Sequence, residues 1–145
     1  MSYTTVDGNS IEACGTGIRM DGVDGCSITS NDLFEPTLHG VSVDDASHNT
    51  VAGNIVYQPG STTTNTYDGV FLEGDSDENM ITGNKVVPRL SGNTTRYGVN
   101  VSAATCNTNV VADNMLVPSA SFGTGSFNDA GTGTITSRDG NGQFT

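Results

Sequence analysis

The chain has 145 residues, which fits one domain, and its 16 acidic side chains against 5 Lys and Arg give a formal net charge of −11. That charge excludes nucleic acid and anionic membranes as partners, because both require a basic surface. Only 34% of the residues are hydrophobic, while 19 are Gly, 20 are Thr and 14 are Asn, which excludes a helical bundle. The placement of the apolar residues therefore decides between a folded chain and a disordered one.

The sequence indicates neither a targeting signal nor a disulfide framework. No apolar run is long enough to span a membrane, and residues 1–5 lack the basic start and apolar stretch of a signal peptide. The three cysteines, Cys14, Cys26 and Cys106, are an odd number without a CxxC pair, which favours buried thiols. The sequence indicates a product of a reducing compartment or a fragment of a longer protein.

Five asparagines head segments that superimpose on one another. In each segment an aliphatic residue lies three positions before the Asn and another lies two positions after it, which gives ten matches in ten positions. The five are Asn9, Asn31, Asn54, Asn84 and Asn114. Stacked coils would align their amides in a hydrogen-bonded ladder along one edge. A second column is predicted five positions earlier, at Cys26, Asn49, Asn79 and Asn109.

A second motif reads Gly, apolar, any residue, apolar, and it predicts a strand with one buried face. It occurs at residues 17–20, 40–43, 69–72 and 98–101. Loops of variable length, each with one Pro, precede three of these strands at Phe34–His39, Tyr57–Asp68 and Val87–Tyr97. Each repeat thus contains three short strands, and these bury their apolar faces only when coils stack.

These features resemble the right-handed parallel β-helix of the pectate-lyase-like superfamily. The Gly-led strands and the turns at 52–56 and 82–86 carry the resemblance. It implies an all-β solenoid of about five coils over residues 1–118, followed by a partial last coil and a C-terminal cap or tail over residues 119–145. It also implies a substrate groove along the Gly-led strands, although this scaffold serves many functions.

An acidic column is predicted on that face. The outward positions of the Gly-led strands are Arg19, Ser42, Phe71 and Asn100, and the positions two residues later include Asp21, Asp44 and Glu73. Carboxylates on adjacent coils would lie about 5 Å apart. Asp44 and Glu73 are candidates for the general acid and partner carboxylate of a glycosidase. For a lyase, the resemblance implies an Arg or Lys base, and Arg19 is the candidate on this strand.

Two other interpretations of the column remain open. Asp21, Asp44 and Glu73 could bind Ca²⁺ through oxygen ligands, and no other cofactor is indicated. The column could instead be a solvated acidic turn with Arg19 paired to Asp21 or Asp44 at the surface.

Aromatic side chains lie on or beside the same loops. Tyr57, Tyr67, Phe71 and Tyr97, together with Asn100, form a candidate substrate-binding set, because sugar rings offer both apolar CH faces and hydroxyls. The alternative is that these rings hold the loops against the coil or pack against another subunit. The two histidines, His39 and His48, fall on different turns and indicate no nucleophilic triad.

The leading hypothesis is a polysaccharide- or receptor-recognition module similar to the C-terminal part of a phage tailspike or depolymerase. It implies an extracellular or virion-associated location, a polysaccharide partner and a homo-oligomer, with a trimer favoured. The alternatives are a small glycoside hydrolase or polysaccharide lyase and a purely structural fibre solenoid.

Overall fold

Short strands make up the framework of the molecule. The computed structural model describes residues 3–89, 91–117 and 121–136, which form sixteen strands of two to five residues and no α-helix. Within those ranges no helix is long and apolar enough to cross a membrane. The strands stack into three sheets in which every pairing is parallel.

Each sheet takes one strand from each coil of the chain. The first sheet contains β1 (Thr5–Asp7), β4 (Ser27–Thr29), β7 (Thr50–Ala52), β10 (Met80–Thr82), β13 (Val110–Ala112) and β16 (Ile135–Thr136). The second contains β2 (Ser10–Glu12), β5 (Asp32–Phe34), β8 (Ile55–Tyr57), β11 (Lys85–Val87) and β14 (Met115–Leu116). The third contains β3 (Ile18–Asp21), β6 (Val41–Asp44), β9 (Val70–Glu73), β12 (Tyr97–Val101) and β15 (Gly125–Asp129). The chain therefore winds as a parallel β-helix, which confirms the predicted fold class.

The aliphatic residues flanking the ladder asparagines form the core. In the first sheet, Val6, Ile28, Val51, Ile81 and Val111 occupy one register column. Ile11, Leu33, Val56, Val86 and Leu116 do so in the second sheet. From the second coil onward these side chains are at most 1% exposed, so a few inward residues per coil build one continuous core.

The asparagine ladder is present at the turn between the first and second sheets. The Asn54 Oδ1 atom accepts from both the backbone N–H and the Nδ2 of Asn31, at 3.0 Å each. In turn, Asn54 donates to the Asn84 Oδ1 atom from its backbone N–H at 3.1 Å and from its Nδ2 at 2.9 Å. Asn54 is 1% exposed, so these bonds are sheltered from water.

Backbone conformation explains why a tight turn forms at each ladder asparagine. The residue before each one has a positive φ between 55° and 66°, which is the left-handed region. These residues are Gly8, Ser30, Gly53, Gly83 and Asp113. Gly adopts this conformation without steric cost, which accounts for three of the five.

The second predicted column is also confirmed. The backbone N–H groups of Cys26, Asn49 and Asn79 donate to the side-chain oxygen of the next member along the axis, at 2.7, 2.9 and 2.8 Å. Cys26 thus opens the column through its backbone, and its buried thiol donates to the Asp24 carbonyl oxygen at 3.8 Å. In the described residues, which include all three cysteines, no disulfide forms.

Steric constraints place Gly at the start of the first four strands in the third sheet. A Cβ atom at Gly17 would lie 2.5 Å from the Gly40 carbonyl oxygen, and one at Gly98 would lie 2.7 Å from that of Ser126. Real Cβ contacts are not this short. The Gly in the motif therefore serves close packing of successive coils.

The two ends of the β-helix differ in how their core is covered. At the N-terminal end Val6 and Ile11 are only half-buried, and a cavity of about 270 Å³ opens between Val6, Met20 and Ile28. At the other end, residues 121–136 add β15 to the third sheet and β16 to the first. The predicted boundary between residues 118 and 119 and the last nine residues of the predicted tail lie outside the described residues.

Candidate functional site

The outer face of the third sheet contains the predicted acidic column. Asp21, Asp44 and Glu73 are register neighbours on β3, β6 and β9. The Arg19 Nη2 atom lies 3.0 Å from the Asp21 carboxylate and 2.7 Å from that of Asp44. The structure thus forms the surface ion pairs that were one interpretation of this column.

Glu73 is the carboxylate of the column that Arg19 does not contact at ion-pair distance. Partial burial raises the pKa of Glu73, and the negative charges of Asp44 and Asp45 raise it further, while Arg19 lowers it. Asp44 and Glu73 therefore differ in environment, since Asp44 has a cationic partner and Glu73 has acidic neighbours.

A second cluster on the same face is centred on Asp68, whose side chain is fully buried. The Arg96 guanidinium donates from Nε to the Asp68 Oδ1 atom at 3.0 Å and from Nη2 to Oδ2 at 2.6 Å. The backbone N–H of Tyr97 and the Nδ2 of Asn100 donate to the same carboxylate, each at 3.0 Å. Four donors thus satisfy the buried charge, as burial requires.

His39 joins this cluster from the preceding coil. Its Nδ1 atom accepts the backbone N–H of Asp68 at 3.1 Å, a geometry that assigns the ring proton to Nε2. Burial lowers the pKa of His39 to about 4, against the opposing effect of Asp68. His39 is therefore uncharged at neutral pH.

Aromatic rings gather around the same groups. The His39 ring stacks on Phe71 with a centroid distance of 4.3 Å and an interplanar angle of 4°, and it meets Tyr67 edge-on at 5.2 Å. The Arg96 guanidinium lies 5.7 Å from the Phe71 centroid and 5.6 Å from that of Tyr97. The result is an aromatic and polar surface that spans three successive coils.

The cluster continues along the outward column toward the C-terminal end. Asn128 on β15 donates to the Asn100 Oδ1 atom at 2.9 Å. The Nδ2 and Oδ1 atoms of the Asn100 side chain are thus both hydrogen-bonded, and the residue is 2% exposed. Asn100 belongs to the floor of the surface, while Tyr67, Phe71 and Tyr97 are half-buried and present partly accessible rings.

The structure gathers most of the predicted site residues but separates one of them. Tyr57 lies on β8 of the second sheet, where its ring is 6.0 Å from that of Phe34. Tyr67, Phe71 and Tyr97 instead surround His39 and Arg96 on the third sheet. The expectation that all four aromatic residues share one cluster is wrong for Tyr57, because strand alternation turns its side chain to the outside of another sheet.

Sequence reasoning missed Asp68, Arg96 and the role of His39. A signal for them existed, because His39, Asp68 and Tyr97 each stand immediately before the Gly that opens a strand. Aligning the repeats on that Gly stacks the three residues in one column, and their carbonyl groups indeed accept from the corresponding glycines of the preceding coils. Arg96 is next in sequence to the last of them.

The metal-ligating side chains are dispersed over the part of the chain that the structure describes. In those ranges, no group of three or more His, Cys, Asp and Glu side chains could hold a metal ion. Arg19 occupies the space between the carboxylates of Asp21 and Asp44 that a calcium ion would need. The structure therefore adds no support to the predicted Ca²⁺ site.

Comparison with known proteins gives one match. Residues 1–137 match the model of a family described as periplasmic copper-binding protein (NosD). No curated protein and no solved structure matches the chain.

The copper in that description can be tested against the soft ligands of this chain. Every His and Cys and all Met residues except Met1 fall within the described residues. The His39 Nδ1 atom is engaged by a backbone N–H, and the His48 Nε2 atom lies 3.1 Å from the Glu78 carboxylate on a different turn. Met80 and Met115 lie on different sheets. Met20 and Cys26 both line the cavity at the N-terminal end, but no His lines it with them. Two soft ligands do not complete a copper site, and in the described residues no cluster of His, Cys, Asp and Glu supplies more, so these residues do not fit a copper centre.

Proposed function

The chain belongs to the NosD family, whose fold is the right-handed parallel β-helix, and we propose that it is a polysaccharide-recognition module whose ligand lies on the outer face of the third sheet. A polysaccharide presents apolar CH faces and hydroxyls in alternation. The family's description as periplasmic supports a location outside the cytoplasm, where such polymers occur. The resemblance to tailspikes and receptor-binding modules remains a hypothesis at the level of the scaffold.

One observation carries this proposal, the ring cluster held in place by the buried Asp68 carboxylate. Phe71, Tyr67 and Tyr97 are half-buried, so their rings are supported from below and remain partly accessible. Rigid aromatic rings beside a few fixed polar groups are typical of small-molecule and sugar sites, because little conformational entropy is lost on binding.

Binding of oligosaccharides by wild type and two aromatic variants tests the proposal. Phe71→Ala removes a ring of the cluster, and we expect it to weaken binding by about tenfold or more, since buried aromatic contacts dominate such sites. Tyr57→Ala, on the second sheet, is the matched control and should leave affinity unchanged. Titration calorimetry with a glycan panel gives the affinities, and thermal unfolding verifies that each variant folds.

The opposite pattern would locate the ligand elsewhere. Loss of binding in Tyr57→Ala but not in Phe71→Ala would move the site to the second sheet. If Phe71→Ala does not fold, Tyr67→Ala replaces it in the comparison. Wild type that binds no member of the panel would overturn the proposal.

A second candidate function is glycoside hydrolysis by Asp44 and Glu73. The specific observation is their register pairing on β6 and β9, which sets their backbones about 4.8 Å apart, near the carboxyl separation of retaining enzymes. The raised pKa of Glu73 suits a general acid, while Asp44 beside Arg19 suits the partner carboxylate.

Release of reducing ends from a polysaccharide panel tests this second function. We expect wild type to release them, and Asp44→Asn and Glu73→Gln each to lose at least about a hundredfold in rate. Asp75→Asn, an exposed carboxylate in the adjacent turn, is the control and should retain activity. Equal silence of wild type and variants would remove the hydrolase interpretation and leave recognition in place.

A further inference from the structure

The positive charges near the third sheet are already occupied by carboxylates. Arg96 donates two hydrogen bonds to the buried Asp68, and Arg19 pairs with both Asp21 and Asp44. The Arg96 side chain is 29% exposed, so part of it reaches the surface, but its charge is balanced by a carboxylate at 2.6 Å. Neither guanidinium brings net positive charge to this face.

The remaining cations of the described residues form no ion pair with the carboxylates of this face. Lys85 is on β11 of the second sheet. Arg89 lies in the loop before β12, and its Nη1 atom is buried without a hydrogen-bond partner in the described residues. His39 is uncharged at neutral pH, because burial lowers its pKa to about 4.

Uncompensated negative charge borders the same surface. Asp45, Glu73 and Asp75 lie along one edge of the third sheet, and in the described residues no Lys or Arg forms an ion pair with them. Asp45 receives only the backbone N–H of Asp75, at 2.9 Å. Repulsion from Asp44 and Asp45 contributes to the raised pKa of Glu73.

A uronate or sulfated polymer on this face would meet repulsion at each acidic unit. An anion beside unpaired carboxylates meets like-charge repulsion and loses hydration without gaining a compensating partner. An uncharged sugar meets no such repulsion.

We propose that the ligand of the third sheet is an uncharged polysaccharide and that the unpaired carboxylates Asp45, Glu73 and Asp75 exclude polyanionic glycans. This inference rests on the proposed function and specifies its ligand class. The carboxylates act as specificity-determining groups, which reject the wrong polymer through repulsion.

Four oligosaccharide probes of equal length test the ligand class on the wild-type chain. They are a neutral gluco-oligosaccharide, an N-acetylated chito-oligosaccharide, its deacetylated cationic form and an oligogalacturonate, each measured by calorimetry in a chelating buffer. We expect a neutral probe to bind with an affinity that changes by less than about twofold between about 50 and about 500 mM NaCl, since no ion pair forms. The oligogalacturonate should bind at least about tenfold more weakly.

A double variant tests the role of the carboxylates directly. Asp45→Asn with Asp75→Asn should strengthen oligogalacturonate binding and leave neutral binding within about twofold, because repulsion is removed without loss of volume. Glu12→Gln with Asp32→Asn on the second sheet changes the net charge equally and is the matched control. A general charge effect would raise uronate binding in both variants and would overturn the inference.

The other outcomes separate this inference from the proposed function. Preference for oligogalacturonate, or binding of it when about 1 mM Ca²⁺ is added to bridge carboxylates, would overturn the uncharged class while recognition stands. Tighter, salt-sensitive binding of the cationic probe would overturn it in the opposite direction. Failure of every probe would overturn the proposed function and this inference together.

Discussion

Asp68 illustrates how a single buried carboxylate can organise a surface. Its four donors come from Arg96, Tyr97 and Asn100, and its own backbone N–H binds His39. These groups come from three coils, so one side chain fixes their relative positions. Local sequence gives no indication of this arrangement, because Arg96 is 28 residues away and becomes a neighbour only through the coil register.

The ladder asparagines differ from Asp68 in that their pattern repeats and can be recognised directly. Each buried member uses its backbone N–H and its amide in the same way as the next. Truncating Asn54 leaves the buried backbone N–H of Asn31 without its acceptor and removes the side-chain donor of the Ile28 carbonyl oxygen. The cost is that of unsatisfied buried polar groups rather than that of one hydrogen bond.

We expect Asn54→Ala to lower the free energy of unfolding by about 1–3 kcal/mol, because it orphans the buried backbone N–H of Asn31 and removes the amide bonds to Asn31 and Asn84. Asn9→Ala is the matched control, since Asn9 is exposed and its side chain donates to the Asn31 Oδ1 atom and the Asp7 carbonyl oxygen, so its cost should stay below about 1 kcal/mol. Urea denaturation monitored by circular dichroism measures both. Equal costs at the two positions would contradict a stabilising role of the buried ladder.

At the scale of the strands, the sequence predicted nearly all of the fold. Period-2 aliphatic residues and the Gly before each third-sheet strand indicated three strands per coil, and the structure confirms them. The prediction succeeds because stacking imposes the same packing requirement on every coil, so the same sequence pattern recurs in each one. The steric reason for the Gly became clear only from contacts such as that between Gly17 and the Gly40 carbonyl.

The loops before the third sheet were less predictable. Their lengths vary between coils, and each loop makes its own contacts, such as the Thr95 hydroxyl donating to the Pro59 carbonyl oxygen at 2.8 Å. Such contacts do not recur from coil to coil, so the sequence pattern does not reveal them. For this reason Tyr57 was grouped with rings that the fold places on another sheet. The acidic column was predicted correctly in register because it follows the strand periodicity.

At the scale of the whole molecule, exposed apolar side chains on the second sheet support assembly. Ile55 and Met115 are 38% and 44% exposed on its outer face, and the rings of Phe34 and Tyr57 lie beside each other there. An interface on this sheet would leave the third sheet free for a ligand. A homo-oligomer, with a trimer favoured, therefore remains our prediction for the solution state.

Sedimentation velocity over a range of concentrations tests this prediction. We expect a trimer for wild type and dissociation when Ile55→Ser and Met115→Ser are combined, because the apolar contact area is removed. Met80→Ser, an exposed residue on the first sheet, should leave the oligomer intact. A wild-type monomer at the highest concentrations would contradict the prediction.

The uniform hydrogen bonding of the two ladders has a consequence for how such a chain can change in length. Asn54, Asn84 and Asn114 follow one another at intervals of 30 residues, and every rung presents the same donors and acceptors to its neighbours. Copying or deleting one whole interval would therefore leave all remaining rungs correctly paired. We therefore expect the complete coil to be the smallest insertion or deletion that this fold accepts, which would change the length of the third-sheet face in steps of one rung.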